Sequence, residues 1–582
     1  MRALKVVEQA QEPEITTGSS WNGRLQMASL APNGVKKLRE LILELAVRGK
    51  LVAQNPKDAP ASELLKLIKA EKQKFIKAGK IKEEKSFIDI TDAEKSYELP
   101  SGWAWARLGQ VAFCQPGFAF KSSGFNEHGA GFPLIRIRDV GFSNPHTFFE
   151  GEYREEFLVD KGEYLISMDG EFRVARWQGK KALLNQRVSR LIFFENETQQ
   201  SFIAASLGKR LELLQGIKAY TTVDHLSGKQ ITDTVIALPP VFEQKRIVAR
   251  VDELMALCDR LEAQKEDAAA AHEMLVKALL GTLTQSQTAA EFQKNWLRIA
   301  SSSGSLFASF ASLFSTESSI DALKQTILQL AVMGKLVPQN PKDEPANELL
   351  KRIKIEKEKL VKAGKIRKDK EQSKILDADA LYDLPKGWEW KSLLNCSKLV
   401  TDGEHLTPER TRDTTQVPLV TAKNVRDGYL DLGNTDFVPQ KIAEKCWGRC
   451  KPEKNDILVV SVGATTGRLS ICKAEIDMVI VRSVTLIKPL FINVEYLALA
   501  LKSPFLQKMI WKGVKQNAQP CLYLSVSQAL SIPVPPLAEQ SRIVAKVDEL
   551  MALCDSLKEH LTKYNALHEH LATALVEKAV TA

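Results

Sequence analysis

The sequence predicts an α+β chain. Two mixed α/β domains are separated by a long antiparallel coiled-coil-like helical frame with an internal pseudo-twofold repeat. Three observations predict it. Leu41–Val52 (LILELAVRGKLV) returns as Thr326–Val337 (TILQLAVMGKLV). The match holds at constant offset through Gln54–Asp58 and Gln339–Asp343 to Leu99–Trp105 (LPSGWAW) and Leu384–Trp390 (LPKGWEW). A second block, Pro239–Leu261 (PPVFEQKRIVARVDELMALCDRL), returns as Pro535–Leu557 (PPLAEQSRIVAKVDELMALCDSL). Between the two blocks of each half lies a β-rich stretch that hardly matches its counterpart. Near-identical frames around dissimilar inserts suggest one scaffold presenting two readers of two different things.

Residues 1–32 read as an N-terminal tail. The first frame region, 33–102, opens with a helix: Leu38, Leu41, Ile42, Leu45 and Ala46 recur at three-to-four spacing, and Gly49 supplies a stop. The turn QNPKDAP follows. Ser62 is then expected to cap a helix with the apolar face Leu64, Leu65, Ile68, Phe75 and Ile76, ended by Gly79. In the second frame region, 320–387, Asn347 takes the cap and Gly364 the stop. Lys66, Lys69, Lys72, Lys74, Lys77 and Lys80 crowd this element. They read as a solvated face, with a phosphate-tracking role as the alternative.

The inserts span 103–240 and 388–536. The first carries Phe132–Val140, Tyr164–Met168 and Ser189–Phe194 as short strands; the second carries Val417–Val425, Asp456–Gly463 and Val479–Ile487. Both share a faint order of basic strand, Gly-turned strand, strand, helix, Ser-rich loop and Pro-Pro exit, as diverged relatives would. Trp103 with Trp105, and Trp388 with Trp390, repeat inside the frame and read as anchors of the insert on the helices rather than as base-stacking groups. Glu243-Gln244 and Glu539-Gln540 fall at helix N-termini, where a carboxylate suits the dipole.

A long helix closes each half, over 241–284 and 537–582. Ile247, Val251, Leu254, Cys258 and Leu261 step as a heptad seam. So do Ile543, Val547, Leu550, Cys554 and Leu557, and the register runs on through Leu561, Tyr564, His568, Leu571 and Leu575. Such a helix is roughly 50–60 Å long at about 1.5 Å per residue. His272 and His568 share one seam position and read as packed histidines. The two seams are expected to pack on each other or on the shorter helices, antiparallel about a pseudo-twofold axis. Residues 285–319 read as a linker with one amphipathic turn or two.

The totals exclude several classes. A chain of 582 residues holds several domains, and its net charge of +10 is compatible with a polyanionic partner without demanding one. The 8 cysteines are scattered; Cys446 and Cys450 lie four apart with no second pair at zinc-like spacing, so no metal is expected. No apolar run approaches the roughly 20 residues of a membrane span. The N-terminus lacks the apolar core of a signal peptide. A cytoplasmic chain is expected. Each Gly-Lys pair (Gly49-Lys50, Gly228-Lys229, Gly364-Lys365) is followed by something other than Ser or Thr, so no phosphate-binding loop is present. There is no H-E-x-x-H, no clustered acidic nuclease motif and no Asn/Asp-Pro-Pro-aromatic element of an amino-methyltransferase. Missing motifs together with a duplicated frame point to a binding protein, not an enzyme.

The repeated words LAVxGKLVxQNPxD, LPxGWxW and PPxxEQxRIVxxVDELMxLCDxL, each present twice around divergent inserts, resemble the DNA-specificity subunit of type I restriction–modification systems. The resemblance covers the chain from about Asn33 onward. It implies that each insert is a target-recognition domain reading one half of a bipartite site in double-stranded DNA. It also implies that the helical regions bind two modification subunits, and that the chain is not itself catalytic. Methylation would use S-adenosylmethionine held by the modification subunits. Cleavage and translocation, with ATP and Mg, would belong to the restriction subunits. The chain itself would bind no cofactor and no membrane. Dissimilar inserts imply an asymmetric site with a fixed gap. A heptad added to the long helix, roughly 10 Å, should widen that gap by about three base pairs.

Base edges and phosphates are read mainly by Arg, Lys, Asn, Gln, Ser and Thr. In the first insert the candidates are Lys121-Ser122-Ser123, Arg136, Arg138, the turn Gly170-Glu171-Phe172-Arg173 with Arg176, Asn185-Gln186-Arg187, and Thr221, Thr222 and His225. In the second they are Thr401-Asp402-Gly403-Glu404-His405, where Asp402 or Glu404 could accept from a cytosine amine, with Lys423-Asn424, Thr465-Thr466, Arg468, Tyr523 and Ser525. Solvated loops and turn chemistry are the competing explanation for each. The first insert is close to charge-balanced and the second only modestly basic, so partner subunits are expected to add clamping charge. Two other functions compete. A protein-binding coiled-coil scaffold would expose aromatic anchors. A stand-alone methyltransferase or nuclease would bind S-adenosylmethionine tightly on its own.

Overall fold

The computed structural model describes residues 31–79, 81, 87–194, 197–218, 226–300, 311–368, 382–516 and 519–581. The chain forms two units: Met1–Asp267 together with Asn565–Ala582, and Ala268–Tyr564. Six frame helices are α1 (Gly34–Val47), α2 (Ala61–Lys77), α3 (Val241–Gln285), α4 (Glu317–Val332), α5 (Ala346–Lys362) and α6 (Leu537–Thr581). In α1 the stripe Leu38, Leu41, Ile42, Leu45 and Ala46 is buried throughout. The helix stops at Gly49, at φ +69°, where a Cβ would lie 2.6 Å from Pro100 Cγ. Only glycine fits both the left-handed backbone and that approach.

The caps differ from expectation. Pro60 and Pro345 hold the N-cap positions of α2 and α5, and Ser62 and Asn347 are exposed residues inside the first turn. The reason is tertiary. The Ala61 N–H donates to the Gly102 carbonyl at 2.8 Å, and the Ala346 N–H to the Gly387 carbonyl at 2.9 Å. The Pro-x-Gly-Trp loop thus takes a donor that a side-chain cap serves elsewhere.

In the second unit Ile543, Val547, Leu550, Cys554 and Leu557 are all buried, in one core with Ile320, Leu323 and Ile327 of α4 and Val276, Leu280 and Leu283 of α3. In the first unit Ile247, Leu254 and Cys258 are buried, Val251 and Leu261 half-buried. Leu254 and Cys258 pack with Val35, Leu38 and Ile42 of α1 and with Ala572 of α6. The longer heptad register of α6 does not persist as a buried stripe. Tyr564 is 50% exposed, and Ala572, outside that series, is buried instead. A straight α-helix drifts about 20° per heptad against a 3.5 repeat, so a distant seam residue turns away.

The segment read as a linker is partly core. Helix Ala289–Ala300 buries Phe292, Trp296 and Ile299 in the second unit's core. The frame helix α4 starts inside the expected linker too: Thr316 caps it, its hydroxyl accepting from the Ser319 N–H at 3.1 Å.

Each insert is an excursion closed by a two-stranded ribbon. Ala104–Arg107 pairs antiparallel with Val235–Leu238, and Glu389–Ser392 with Ser531–Val534. Six strands recur in each. In the first insert they are β1 (Ala112–Pro116), β2 (Phe132–Ile135), β3 (Tyr164–Ser167), β4 (Val174–Arg176), β5 (Ala182–Leu184) and β6 (Val188–Phe193). In the second they are β7 (Ser397–Asp402), β8 (Val417–Val420), β9 (Ile457–Val460), β10 (Leu469–Ile471), β11 (Val479–Ile480) and β12 (Val484–Pro489). The four-stranded sheets have orders β1-β6-β3-β4 and β7-β12-β9-β10. A second sheet, of five strands in the first domain and three in the second, holds one parallel pair in each, β2 with β5 and β8 with β11. The run Val479–Ile487, one strand in the sequence reading, is two: Val481–Ser483 forms the turn between β11 and β12. The fold is therefore two mixed α/β domains that share the arrangement of these six strands, each carried by long helices.

The frame tryptophans anchor these domains. The Trp103 indole N–H donates to Glu243 Oε1 at 3.1 Å, and Gln54 Nε2 donates to the same oxygen at 3.3 Å. Trp388 donates to Glu539 Oε2 at 3.1 Å and Gln339 Nε2 to Oε1 at 3.2 Å. Trp105 and Trp390 lie against Tyr97 and Tyr382, each pair with centroids 5.1 Å apart. Burial pushes the Glu539 carboxyl above its ordinary range, and the bonds from Gln339 and Trp388 only partly offset it. A carboxyl raised in the folded state stabilises the fold fully below its unfolded value near 4.5 and loses that contribution as pH climbs through the folded value. Glu539→Gln has no such loss. Its stability relative to the parent is expected to rise from pH 5 to pH 7, on top of a constant deficit for one lost bond. Denaturant midpoints at the two pH values check this, and a pH-independent difference would refute it.

Candidate nucleic-acid interface

At one end of the four-stranded sheet of each domain, several loops are held together by backbone hydrogen bonds that repeat position for position. The Gly117 N–H donates to Val188 O at 3.0 Å and Phe118 N–H to Leu184 O at 2.9 Å; Gly403 donates to Val484 O at 3.1 Å and Glu404 to Ile480 O at 2.8 Å. Met168 N–H donates to Arg187 O at 3.0 Å, and Ser461 N–H to Ser483 O at 2.9 Å. Leu226 N–H reaches Met168 O at 2.7 Å, and Leu522 N–H reaches Ser461 O at 2.8 Å. A Cβ on Gly117 would lie 2.1 Å from Asn185 O, and one on Gly403 would lie 2.2 Å from Ile480 O. Both turns therefore need glycine for close backbone approach. These bonds set an equivalence that the amino-acid identities hide.

Under it, two candidate cations from the first domain coincide with two from the second. Arg173 and Arg468 close the hairpins β3–β4 and β9–β10: Ser167 N–H donates to Arg173 O at 3.0 Å and Val460 N–H to Arg468 O at 2.8 Å. Arg138 and Lys423 stand on matching turns after β2 and β8. Asp139 Oδ2 accepts from the Arg136 N–H at 2.8 Å there, and Asn424 Oδ1 from the Thr421 N–H at 3.0 Å. Arg136, Arg138 and Lys423 are exposed. Arg138 donates to Thr147 Oγ1 at 3.2 Å and Lys423 approaches Asp436 at 3.9 Å.

The neighbours of these cations differ. Arg173 pairs with Glu171 and lies 5.7 Å from the centroid of the exposed Phe142 ring. Arg187 pairs with Asp169 at 3.2 Å. Among the described residues Arg468 has no carboxylate partner. Gln186 is exposed, and its counterpart Arg482 is exposed as well. Arg176 donates to Gly162 O at 3.0 Å, and Lys121, Ser122 and Ser123 form an exposed turn.

Several candidates are not presented to solvent. Asn424 is 1% exposed, and its amide is spent on Thr421, Asp431 O and Asn434 O, so it braces the turn as Asp139 does. Thr466 is buried and donates to Gly463 O at 2.7 Å. Asn185 is buried in the turn after β5. Thr401 is half-buried on β7, and Thr465 half-buried in the hairpin turn. Asp402 is consumed internally: Arg449 Nη2 donates to Oδ1 at 2.5 Å, and His405 Nε2 lies 2.7 Å from Oδ2. Burial opposes ionisation of Asp402, but the bonds from Arg449 and His405 outweigh it and hold the carboxyl below its usual range. Glu404 and the exposed His405 remain available, as do exposed Ser525 and Tyr523, over whose ring Lys515 Nζ lies at 5.1 Å. Thr221, Thr222 and His225 lie outside the described residues.

Sequence reasoning missed Arg449 and Arg482. Arg449 is 47 positions from Asp402, and only the equivalence of turns marks Arg482. Cys446 and Cys450 are buried thiols, with burial pushing Cys450 up to about 11. Among the described residues no group of three or more His, Cys, Asp or Glu is placed to hold a metal, and no helix is long and apolar enough to cross a membrane.

Comparison with known proteins adds a family. A family model described as the type I restriction modification DNA specificity domain matches residues 100–270 and 385–567. Over 598 residues the chain is 35% identical to the EcoAI type I restriction enzyme specificity subunit of Escherichia coli, covering 96% of this chain and 98% of that one. It is 34% identical over 602 residues to the EcoEI specificity subunit of Escherichia coli, with 96% and 98% covered. A solved chain from a study of complex assembly and conformational transition of the type I R-M system aligns at TM-score 0.47 and 18% identity, over 83% of this chain and 99% of that one.

Proposed function

The chain belongs to the type I restriction–modification DNA specificity family, and from that premise we propose that it is the non-catalytic, sequence-specific adaptor of such a complex. Each α/β domain reads one half of an asymmetric, two-part site in double-stranded DNA. The two frame copies, alike down to the Trp–Glu–Gln anchors, dock two copies of one modification subunit. The long helices set the gap between half-sites. S-adenosylmethionine for adenine methylation belongs to the modification subunits. ATP and Mg for translocation and cleavage belong to the restriction subunits. This chain contributes the address.

The carrying observation is the pair of loop edges. Their backbones match bond for bond, and they place cations at the same two positions, Arg138 with Lys423 and Arg173 with Arg468. Around them the side chains differ. One scaffold with two chemistries suits two different half-sites, because phosphate contacts position a protein while base contacts specify the sequence. The test is co-expression with the cognate modification subunit in a methylation-free host, followed by modification-sensitive long-read sequencing. One asymmetric, two-part, adenine-methylated motif with a fixed gap is expected. A complex that forms and methylates no such motif would remove the proposal.

A further inference from the structure

The two equivalent turns after β1 and β7 carry opposite chemistry. Gly117 and Gly403 occupy the same backbone position, so Phe118 stands where Glu404 stands, and Ala119 where His405 stands. Phe118 is 40% exposed, although it is a large apolar ring in a polar edge. It is backed by Phe120 and Phe157, each with its centroid 5.2 Å away, so the ring is fixed rather than loosely solvated. The first turn offers base edges an apolar face and, from its Phe and Ala side chains, no hydrogen-bonding group.

The second turn offers acceptors. Glu404 Oε1 takes the N–H groups of His405 at 2.9 Å and Leu406 at 3.2 Å, which fixes the carboxylate in place. Oε2 accepts nothing among the described residues. The His405 ring is oriented as well. His405 Nε2 lies 2.7 Å from Asp402 Oδ2 and 3.1 Å from Arg449 Nη2, and Arg449 also donates to Asp402 Oδ1, so the three side chains lock one another.

Resting on the adaptor reading, we infer that this turn is a specificity element in both domains. The Phe118 turn meets the C5-methyl group of a thymine in one half-site, and the Glu404–His405 turn accepts from the N4 amine of a cytosine in the other. Cytosine is the better fit than adenine for a reason of charge. Beside its amine, adenine presents the N7 acceptor, which repels a carboxylate, whereas cytosine presents C5–H. Asp402 and Arg449 are positioning residues that fix the histidine ring.

The experiment uses the assembled complex and its methylation motif. Phe118→Ala is expected to relax one position of one half-site, and that position is a T·A pair. Glu404→Gln is expected to change one position of the other half-site from C·G toward A·T, because a glutamine amide matches adenine N6 and N7. A second measurement needs no variant. Deoxyuridine in place of that thymine removes only the methyl group, and binding by the parent complex is expected to fall about fourfold, the worth of one buried carbon. The same exchange should not affect the Phe118→Ala complex. An unchanged motif in both variants, or relaxation at pairs of the other kind, or indifference of the parent to deoxyuridine, overturns the inference and leaves the adaptor reading intact. A parent complex that methylates no two-part motif overturns both.

Discussion

Arg468→Ala is expected to weaken binding of the assembled complex to its cognate duplex by about five- to 150-fold, the ~1–3 kcal/mol of a good base contact. Arg468 closes the β9–β10 hairpin and has no carboxylate partner among the described residues. Its guanidinium is therefore not already neutralised when DNA arrives. Arg173, its counterpart, is paired with Glu171 and lies over Phe142, so reaching DNA means exchanging those contacts. Arg173→Ala should cost less than Arg468→Ala, and Glu171→Gln should strengthen binding to unrelated sequence by releasing Arg173. Fluorescence anisotropy with cognate and scrambled duplexes at two salt concentrations separates the roles. A base-reading arginine loses cognate affinity selectively. A phosphate-binding one loses both equally and flattens the salt dependence by about one unit of slope. Parent-like affinity of Arg468→Ala for both duplexes would place that residue outside the interface.

The comparison of Arg468 with Arg173 was legible in the sequence only as two separate basic turn residues. What made the frame legible was repetition of side chains: Trp388 and Glu539 each have an identical twin, so their pairing could be sought as an anchor. In the inserts it is the backbone that repeats. Gly117 and Gly403 have the same hydrogen-bond partners by position, but Phe118 and Glu404 share nothing that a residue-by-residue reading detects. Asn424 shows the converse limit. As a polar loop residue after a strand it looked like a reader, yet its amide is consumed by the turn it braces, as Asp139's carboxylate is by the matching turn. Polarity alone does not separate a group that holds a loop from one the loop presents. The helix Ala289–Ala300 was hidden differently: its apolar stripe is short and sits among Ser- and Thr-rich stretches, and burial against α3 and α4 rather than local propensity secures it.

Trp388→Ala is expected to carry the largest stability effect. Its side chain is 5% exposed in the core of the second unit, and truncating a buried tryptophan costs about 3–5 kcal/mol. The change does more than empty a volume. It removes a donor from Glu539, which is 1% exposed and then keeps only Gln339 among the two side chains that bond it. Trp388→Phe separates the two contributions: most of the packing stays and the indole N–H goes, for a smaller loss of about 1.5–3 kcal/mol. Because Trp388 stands at the start of the insert and Glu539 in the first turn of α6, the bond ties the α/β domain to its frame. Hydrogen exchange resolved along the chain should therefore show the ribbon Glu389–Ser392 with Ser531–Val534 and the first turns of α6 losing protection together, while α1 and α2 keep theirs. Trp103→Ala should reproduce the pattern in the first unit, through Glu243. If Trp388→Ala instead loosened only residues next to the cavity, with α6 unaffected, the tryptophan would be core filling and the anchor would have to lie in the ribbon alone.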